Sequence, residues 1–398
     1  MKLIDAVHGY VFTAAGGVVF RVNSDDSVDT IRHEKSADSS VVSMTASTDG
    51  SFLFVAYSNK VVGCWDLKTL EVLGTATLRK QPTAIQYGSF AGNALDRKGD
   101  ASKILQVLLA SDKAGEVYAL DAPGLKKQSL IAGHTASVIT DMAIHTSSIT
   151  GKTIVATSDR DEKIRISHFP DMENISAFCM AHTKVVASVS FIELNGKVLM
   201  LTTGWDHKLI LWETNTGTPL QTISFLTTEE TSSSTAVVEE KSAESKEEQE
   251  GGEEEEVVEE GVLDTTEGGD GDEDLEGKVY DEISAGNYPY KVISTPVSTK
   301  EALVAVVFKG KALVKMFSLH TTDVGFELTE LVGATVSLPA LPVDVCFTAS
   351  NEVAALLPKP HGMQVHRITT TTASAVDITS EKTYVAKLLT ALEGEGKH

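Results

Sequence analysis

Three short segments of this chain can be laid over one another, and their spacing limits the fold more than any other feature. Val61 to Asp66 reads VVGCWD, Glu116 to Asp121 reads EVYALD, and Lys208 to Glu213 reads KLILWE. Each follows a small-residue apolar run and a tight turn: FVAYSNK, LLASDKAG and LTTGWDH. Each is followed by Gly or Pro and a further apolar run. Short β-branched and aromatic runs between polar turns are strand signals, and few segments show helical periodicity. The unit is a four-stranded meander recurring about every 40–50 residues, the period of WD-type propeller blades. A single blade cannot bury both of its faces, so several must pack around an axis.

Laid along the chain, the pattern gives seven blades, over 8–32, 41–78, 83–131, 134–178, 185–225, 288–331 and 342–378. Leu3 to Val7 is left over, and is expected to complete the last blade beside the C-terminal strands and so remove sheet edges. The predicted fold is all-β, a seven-bladed WD-repeat β-propeller with a long disordered acidic insert. Blades one to five fall in 1–226, the insert in 227–287, blades six and seven in 288–380, and a tail in 381–398. Blades one, six and seven lack the Trp-Asp signature, so six blades with irregular ends is the rival reading. Blade four opens with Gly133-His134, and His134 and Asp161 have the types and spacing for a buried side-chain network. Ser167 stands where that network's third-strand Trp belongs, which leaves it incomplete.

The charge is concentrated in one place. The chain of 398 residues carries 56 acidic and 34 basic residues, a net of −22. Between Glu229 and Glu282 there are 23 acidic residues and three lysines, Lys241, Lys246 and Lys278. The remainder holds 33 acids and 31 bases and is nearly neutral, which argues against a broad nucleic-acid-binding face built from clustered cations. The Glu-, Ser-, Thr- and Gly-rich insert has too few apolar residues to offset the entropy of ordering, so disorder is expected. It serves either as a solvated linker or as a segment that repels nucleic acid or engages a basic partner. Asp270 to Asp274 imitates the start of a calcium loop, but Leu275 stands where Gly is needed and Asp281 where the closing Glu belongs.

Cys64, Cys179 and Cys346 are far apart in apolar runs and read as buried free thiols of a reducing compartment. The first residues show no secretory signal pattern, and no run nears the roughly 20 apolar residues of a membrane span. A soluble, intracellular protein is expected, in which Asn174-Ile175-Ser176 is a chance glycosylation match. No phosphate loop, nucleophile elbow or His-Glu-x-x-His helix occurs. His145, His168 and His182 do not share zinc-site spacing. The remaining enzymatic alternative is a site in the central channel.

The segment TSDRDEKIRIS, Thr157 to Ser167, has five consecutive charges across a strand–strand turn: Asp159, Arg160, Asp161, Glu162 and Lys163. A turn alone needs only Asn-Gly or Asp-Gly. The cluster reads as a solvated turn tip or as a polar docking edge, with Arg160 and Arg165 suited to bidentate pairing with carboxylates.

The run DRDEKIRIS, then Ile175, Phe178-Cys179, and His182 followed by Val185-Val186, resembles the WD-repeat subunit of the tRNA (guanine-N7)-methyltransferase. The match covers roughly residues 108–225. The resemblance implies a non-catalytic subunit that holds a separate catalytic subunit in an active shape within a largely nuclear heterodimer. S-adenosylmethionine is then expected on that partner, with no cofactor or metal on this chain. The product is N7-methylguanosine in the tRNA variable loop, with tRNA met mainly through the complex. The implied partner-binding residues are Arg160, Asp161, Glu162, Lys163 and Arg165, joined in blade five by Trp205 and Lys208. Trp205 is expected at a turn tip as an exposed anchor or packed on its own blade's neighbour, and Lys208 within reach of an acid on the partner. The alternative is a general WD-repeat adaptor, in ubiquitin ligation or chromatin assembly, whose acidic insert grips a basic client.

Overall fold

The computed structural model describes residues 4–7, 10–91 apart from 24, 26 and 37, 104–226, 287–358 apart from 349, then 361, 363–369 and 374–379. The acidic insert, apart from Asn287, and the C-terminal tail anticipated from the sequence lie outside these residues. Among the described residues the strands form seven antiparallel sheets, each built on a meander of four consecutive strands, one of them with a short fifth strand added. The six-bladed alternative is thereby excluded.

The burial pattern explains why these runs become blades. In blade two the second strand, Phe52–Tyr57, and the third, Val61–Asp66, are buried almost throughout, whereas the outer strand, Val72–Thr77, alternates between exposed and half-buried. Blade five repeats this with Lys197–Gly204, Lys208–Glu213 and the outer Thr218–Ser224. Inner strands lie between two neighbouring blades and need apolar residues on both faces. Outer strands meet solvent and follow the period of two. Trp65 and Trp212 are among the largest fully buried side chains, and replacing either by Ala costs about 3–5 kcal/mol.

The innermost strands touch in sequence around the ring, with Ile4–Val7 between Val41–Ala46 and Asp344–Phe347. This corrects the expected role of the N-terminal segment. Ile4–Val7 does not complete the last blade but is the inner strand of the first, in register Ile4↔Thr13 to Val7↔Tyr10. A neighbouring strand in sequence closes a far shorter loop than a strand across the whole ring. The last blade already has four strands, from Asp344–Phe347 to Ser374–Asp377. Closure therefore rests on side-chain packing, in a core that joins Phe12 and Phe20 to Trp65 on one side and to Cys346, Val365 and Ile378 on the other.

Blade six has one feature the pattern did not announce. Its third strand, Leu313–Thr322, outruns the outer strand Gly325–Glu330, which pairs with it only from Phe317 onward. The chain then turns through a short 3-10 segment, Val332–Ala334, and Val336–Ser337 pairs with Leu313 and Val314. Backbone groups left open by the shorter strand thus find partners.

Candidate partner-docking edge

The two blades that carry the family-like sequence use related networks. In blade five His182 Nδ1 lies 2.9 Å from Asp206 Oδ1, His182 Nε2 lies 2.8 Å from Thr202 Oγ1, and Trp212 Nε1 donates to Thr202 Oγ1 at 2.8 Å. An Nδ1–H imidazole satisfies every member, with the Thr202 hydroxyl donating to Nε2. In blade four His134 Nε2 lies 2.8 Å from Thr157 Oγ1 and Nδ1 lies 2.8 Å from Asp159 Oδ2. Thr157 pairs with Arg165 as Thr202 pairs with Ile210, so Ser167 occupies the place of Trp212, as the sequence suggested. The acidic member expected from the sequence, Asp161, is not in the network; Asp159 is.

The reason lies two residues upstream of the turn. Aligning Thr157 with Thr202 places Asp159 opposite Gly204 and Asp161 opposite Asp206. A Cβ at Gly204 would stand 2.9 Å from His182 Nδ1 and 3.0 Å from Asp206 Oδ1, so the glycine makes room for the turn carboxylate. In blade four a carboxylate grows from that very position and reaches the histidine itself. Burial pushes the Asp159 carboxyl up, but hydrogen bonds from His134 and the Lys163 backbone N–H outweigh it, so it sits below its ordinary value. Asp206 is held low by the same opposition, with His182 and the Thr183 N–H as donors.

The turn after Asp159 is held from inside. Asp159 Oδ1 accepts from Asp161 N and from Lys163 N, each at 2.9 Å. Arg160 N donates to Val138 O at 3.0 Å. Glu162 takes a φ of 71°, a left-handed conformation that side chains other than Gly, Asn and Asp enter at a cost. With the backbone fixed, Arg160, Asp161, Glu162 and Lys163 are all exposed, and Arg160 Nε is 3.8 Å from Asp161 Oδ1.

The other expected contact residues are placed differently. Arg165 is half-buried and committed to its own blade: Nη1 donates to Gly133 O at 2.6 Å, and the guanidinium lies 5.9 Å from the Phe178 ring centre. Its Nε is buried without a hydrogen-bond partner. Trp205 is half-buried, with its ring 5.3 Å from that of Tyr288 at the start of blade six, which is the neighbour-packing alternative rather than a bare anchor. Lys208 is also turned inward, with Nζ 3.2 Å from Ala181 O and 3.5 Å from Asp206 Oδ2. Its ammonium thus has partners within its own blade.

Two residues that sequence reasoning did not place at the site stand beside it. Phe178 and Met180, at the end of the outer strand Ile175–Cys179 and just past it, are 48% and 69% exposed. Phe178 pairs in register with Arg165, so an apolar step adjoins the charged turn. The signal was the placing of large apolar side chains at the solvent-facing positions of the outer strand's alternation. Apolar side chains bordered by charge are the usual makeup of an interface.

The central channel, about 960 Å3, is lined by the inner strands. Its polar groups bond between blades: Asp141 Oδ2 accepts from Ser188 Oγ and Val189 N, each at 3.0 Å, and Lys291 pairs with Asp344. Cys64, Cys179 and Cys346 are buried and form no disulfide, and burial pushes the thiols of Cys64 and Cys179 up to about 12. Among the described residues no cluster of three or more His, Cys, Asp and Glu has the arrangement of a metal site.

Charge is sorted between the two faces of the propeller. In blades two to six the turn between the second and third strands lies beside the connection that enters the blade, as Ser58 N to Ser40 O and Lys113 N to Gln81 O show. On that face Lys35, Lys60, Arg79, Lys80, Lys113, Arg160, Lys163, Lys184 and Lys309 are exposed, against Glu34, Asp38, Asp161 and Glu162. On the opposite face the exposed loop cations Lys68, Lys126, Lys127, Lys152 and Lys300 meet Asp25, Asp49, Glu71, Asp171, Glu173 and Asp323. Among the described residues, the near-neutral sum inferred from the sequence hides an excess of exposed cations on one face.

A family model for the WD40 domain of the tRNA methyltransferase TRM82 matches residues 122–357. The tRNA (guanine-N(7)-)-methyltransferase non-catalytic subunit wuho of Culex quinquefasciatus is 28% identical over 188 residues, 45% of this chain and 41% of that protein. The non-catalytic subunit TRM82 of Eremothecium gossypii is 35% identical over 123 residues, 30% of this chain and 26% of that protein. The non-catalytic subunit WDR4 of Homo sapiens is 28% identical over 183 residues, 45% of this chain and 39% of that protein. The matched stretch thus spans less than half the length of these relatives. Among solved structures, a chain of a mitotic checkpoint complex aligns with TM-score 0.59 at 15% identity, covering 90% of this chain and 87% of that one. U3-55K aligns with TM-score 0.56 at 13% identity, covering 89% and 87%. These two likenesses speak to the fold alone.

Proposed function

Because the chain belongs to the family of the tRNA methyltransferase TRM82 WD40 domain, we propose that it is the non-catalytic subunit of a tRNA (guanine-N7)-methyltransferase. It binds the catalytic subunit as a heterodimer and stabilises its active conformation, supporting N7-methylguanosine formation in the tRNA variable loop. The observation that carries this reading is the turn Arg160 to Lys163. Four charged side chains stand exposed on a backbone fixed by Asp159, with Glu162 kept in a conformation suited to glycine. Residues retained against local preference and unused inside the blade are candidates for outside contact.

The mechanism is a population shift: the propeller binds one conformer of its partner better than the others and so raises that conformer's share. S-adenosylmethionine and the methyl transfer belong to the partner. Arg160 and Lys163 address its carboxylates, Asp161 and Glu162 its cations, and Phe178 and Met180 its apolar side chains. The basic face supports contact with the tRNA backbone in addition to that made by the partner. A nuclear location follows from the same reading.

The test is co-expression of the catalytic subunit with Arg160→Glu/Lys163→Glu. Pull-down and tRNA methylation are expected to fall at least about tenfold, in line with the 2–5 kcal/mol attached to disrupted charge pairs at interfaces. Undiminished complex and activity would remove the proposed edge.

A further inference from the structure

The two signature blades satisfy equivalent histidines from different positions. Blade five uses the turn carboxylate, Asp206, with Gly204 leaving it room. Blade four uses Asp159, which stands where Gly204 does, and the residue equivalent to Asp206 is Asp161, whose side chain is 45% exposed. Asp159 does more than replace Asp206. Its Oδ2 meets His134, while its Oδ1 accepts from the backbone of both Asp161 and Lys163.

We infer that Asp159 is a positioning residue for partner binding: by taking over His134 it releases Asp161 to the surface as an acceptor for a cationic side chain of the catalytic subunit. This rests on the reading that the turn is the docking edge. The released carboxylate gives the rim the order Arg160, Asp161, Glu162, Lys163, two anions flanked by two cations with no net charge. Such a rim fits a protein surface with the complementary order and gains little from a uniformly anionic RNA backbone. With Asp161 drawn inward as Asp206 is, the rim would lose an anion, become net positive and lose that discrimination. The exposed Asp161 carboxylate is accessible to a guanidinium, which a carboxylate buried against His134 would not be.

Three variants of the full chain, titrated calorimetrically against the purified catalytic subunit, test this. Asp159→Gly rebuilds the Gly-x-Asp pattern of blade five, so Asp161 turns in to His134. The thermal midpoint is expected to stay within a few degrees while affinity falls about tenfold. Asp159→Asn keeps an acceptor for the turn and leaves Asp161 outside, and affinity within about twofold of the unaltered chain is expected. A purely structural Asp159 predicts the reverse order, because Asp159→Asn loses the His–carboxylate pair that Asp159→Gly regains; that order overturns the inference. Asp161→Ala does not depend on how Asp159→Gly folds. It is expected to leave the midpoint unchanged and weaken binding about tenfold, and a shifted midpoint with full binding overturns the proposal. Failure of the unaltered chain to bind the catalytic subunit overturns the functional reading itself, and the inference with it. Normal binding by both the unaltered chain and Asp161→Ala overturns the inference alone.

Discussion

His33 and His366 show how much a single buried ring contributes. His33 lies under blade two, its ring 5.7 Å from that of Trp65 and 5.8 Å from that of Tyr57. Burial lowers its pKa, and the charge of Lys35 lowers it further against the opposing pull of Glu34. Burial lowers that of His366 as well, with Asp377 opposing. Each ring is therefore harder to protonate in the folded chain than in the unfolded one. Between the two pKa values the unfolded state binds more protons, so this stability is complete above the unfolded value near 6.5 and is lost as pH falls through the folded values. The unfolding midpoint is expected to drop from about pH 7.5 to about pH 5.5, and His33→Gln/His366→Gln to flatten that slope. A double variant with the parental slope would count against this assignment. At this scale the sequence was legible in residue type but not in partnership. His134 was correctly placed in a network, yet two aspartates were within reach of it. Only the volume that Gly204 leaves in blade five, and Asp159 fills in blade four, decides between them.

The turn between the second and third strands is the element on which stability and function diverge. Glu162 and His207 occupy the equivalent left-handed position in blades four and five, at φ 71° and 60°, where blade three has Gly115 at 81°. Replacing Glu162 by Gly removes that steric cost and is expected to raise stability by about 0.5–1 kcal/mol, read as a higher denaturant midpoint. The same change deletes an outward carboxylate, so binding of the catalytic subunit should weaken. A variant gaining in both would show that Glu162 makes no contact. Blades themselves were readable because their inner strands are apolar runs bounded by turns, and six of the seven lie within a few residues of the predicted limits. The N-terminal strand was misplaced because a hairpin with Tyr10–Ala15 and an exchange with the last blade both remove an edge, and sequence pattern does not choose between them. Val336–Ser337 was invisible for a related reason: two residues carry no periodicity. Arg165, Trp205 and Lys208 were recognisable as interface types, but their internal partners Gly133 O, Tyr288 and Asp206 come from other strands and other blades.

At the scale of the propeller, a sum of charges conceals their placement. The chain outside the acidic segment is nearly neutral, and that sum argued against contact with nucleic acid. Meander topology, however, sends alternate turns of each blade to opposite faces, so the sequence position of a lysine relative to the strands fixes its side. Lys60, Lys113 and Lys309 occupy the corresponding turns of blades two, three and six, all on the basic face and away from the edge of blade four. Lys68, Lys126 and Lys127 lie on the opposite face. A phosphate backbone lying on the basic face releases counterions on contact, and the logarithm of affinity then falls with the logarithm of salt by about 0.7–0.9 per neutralised phosphate. Lys60→Ala/Lys113→Ala/Lys309→Ala in the assembled complex is thus expected to make the salt dependence of tRNA binding shallower by about 2, with assembly intact. Lys68→Ala/Lys126→Ala/Lys127→Ala removes the same charge from the other side and should leave the slope unchanged. Equal slopes for the two triple variants would mean that tRNA feels only the net charge of the propeller and that its phosphates rest on the catalytic subunit alone.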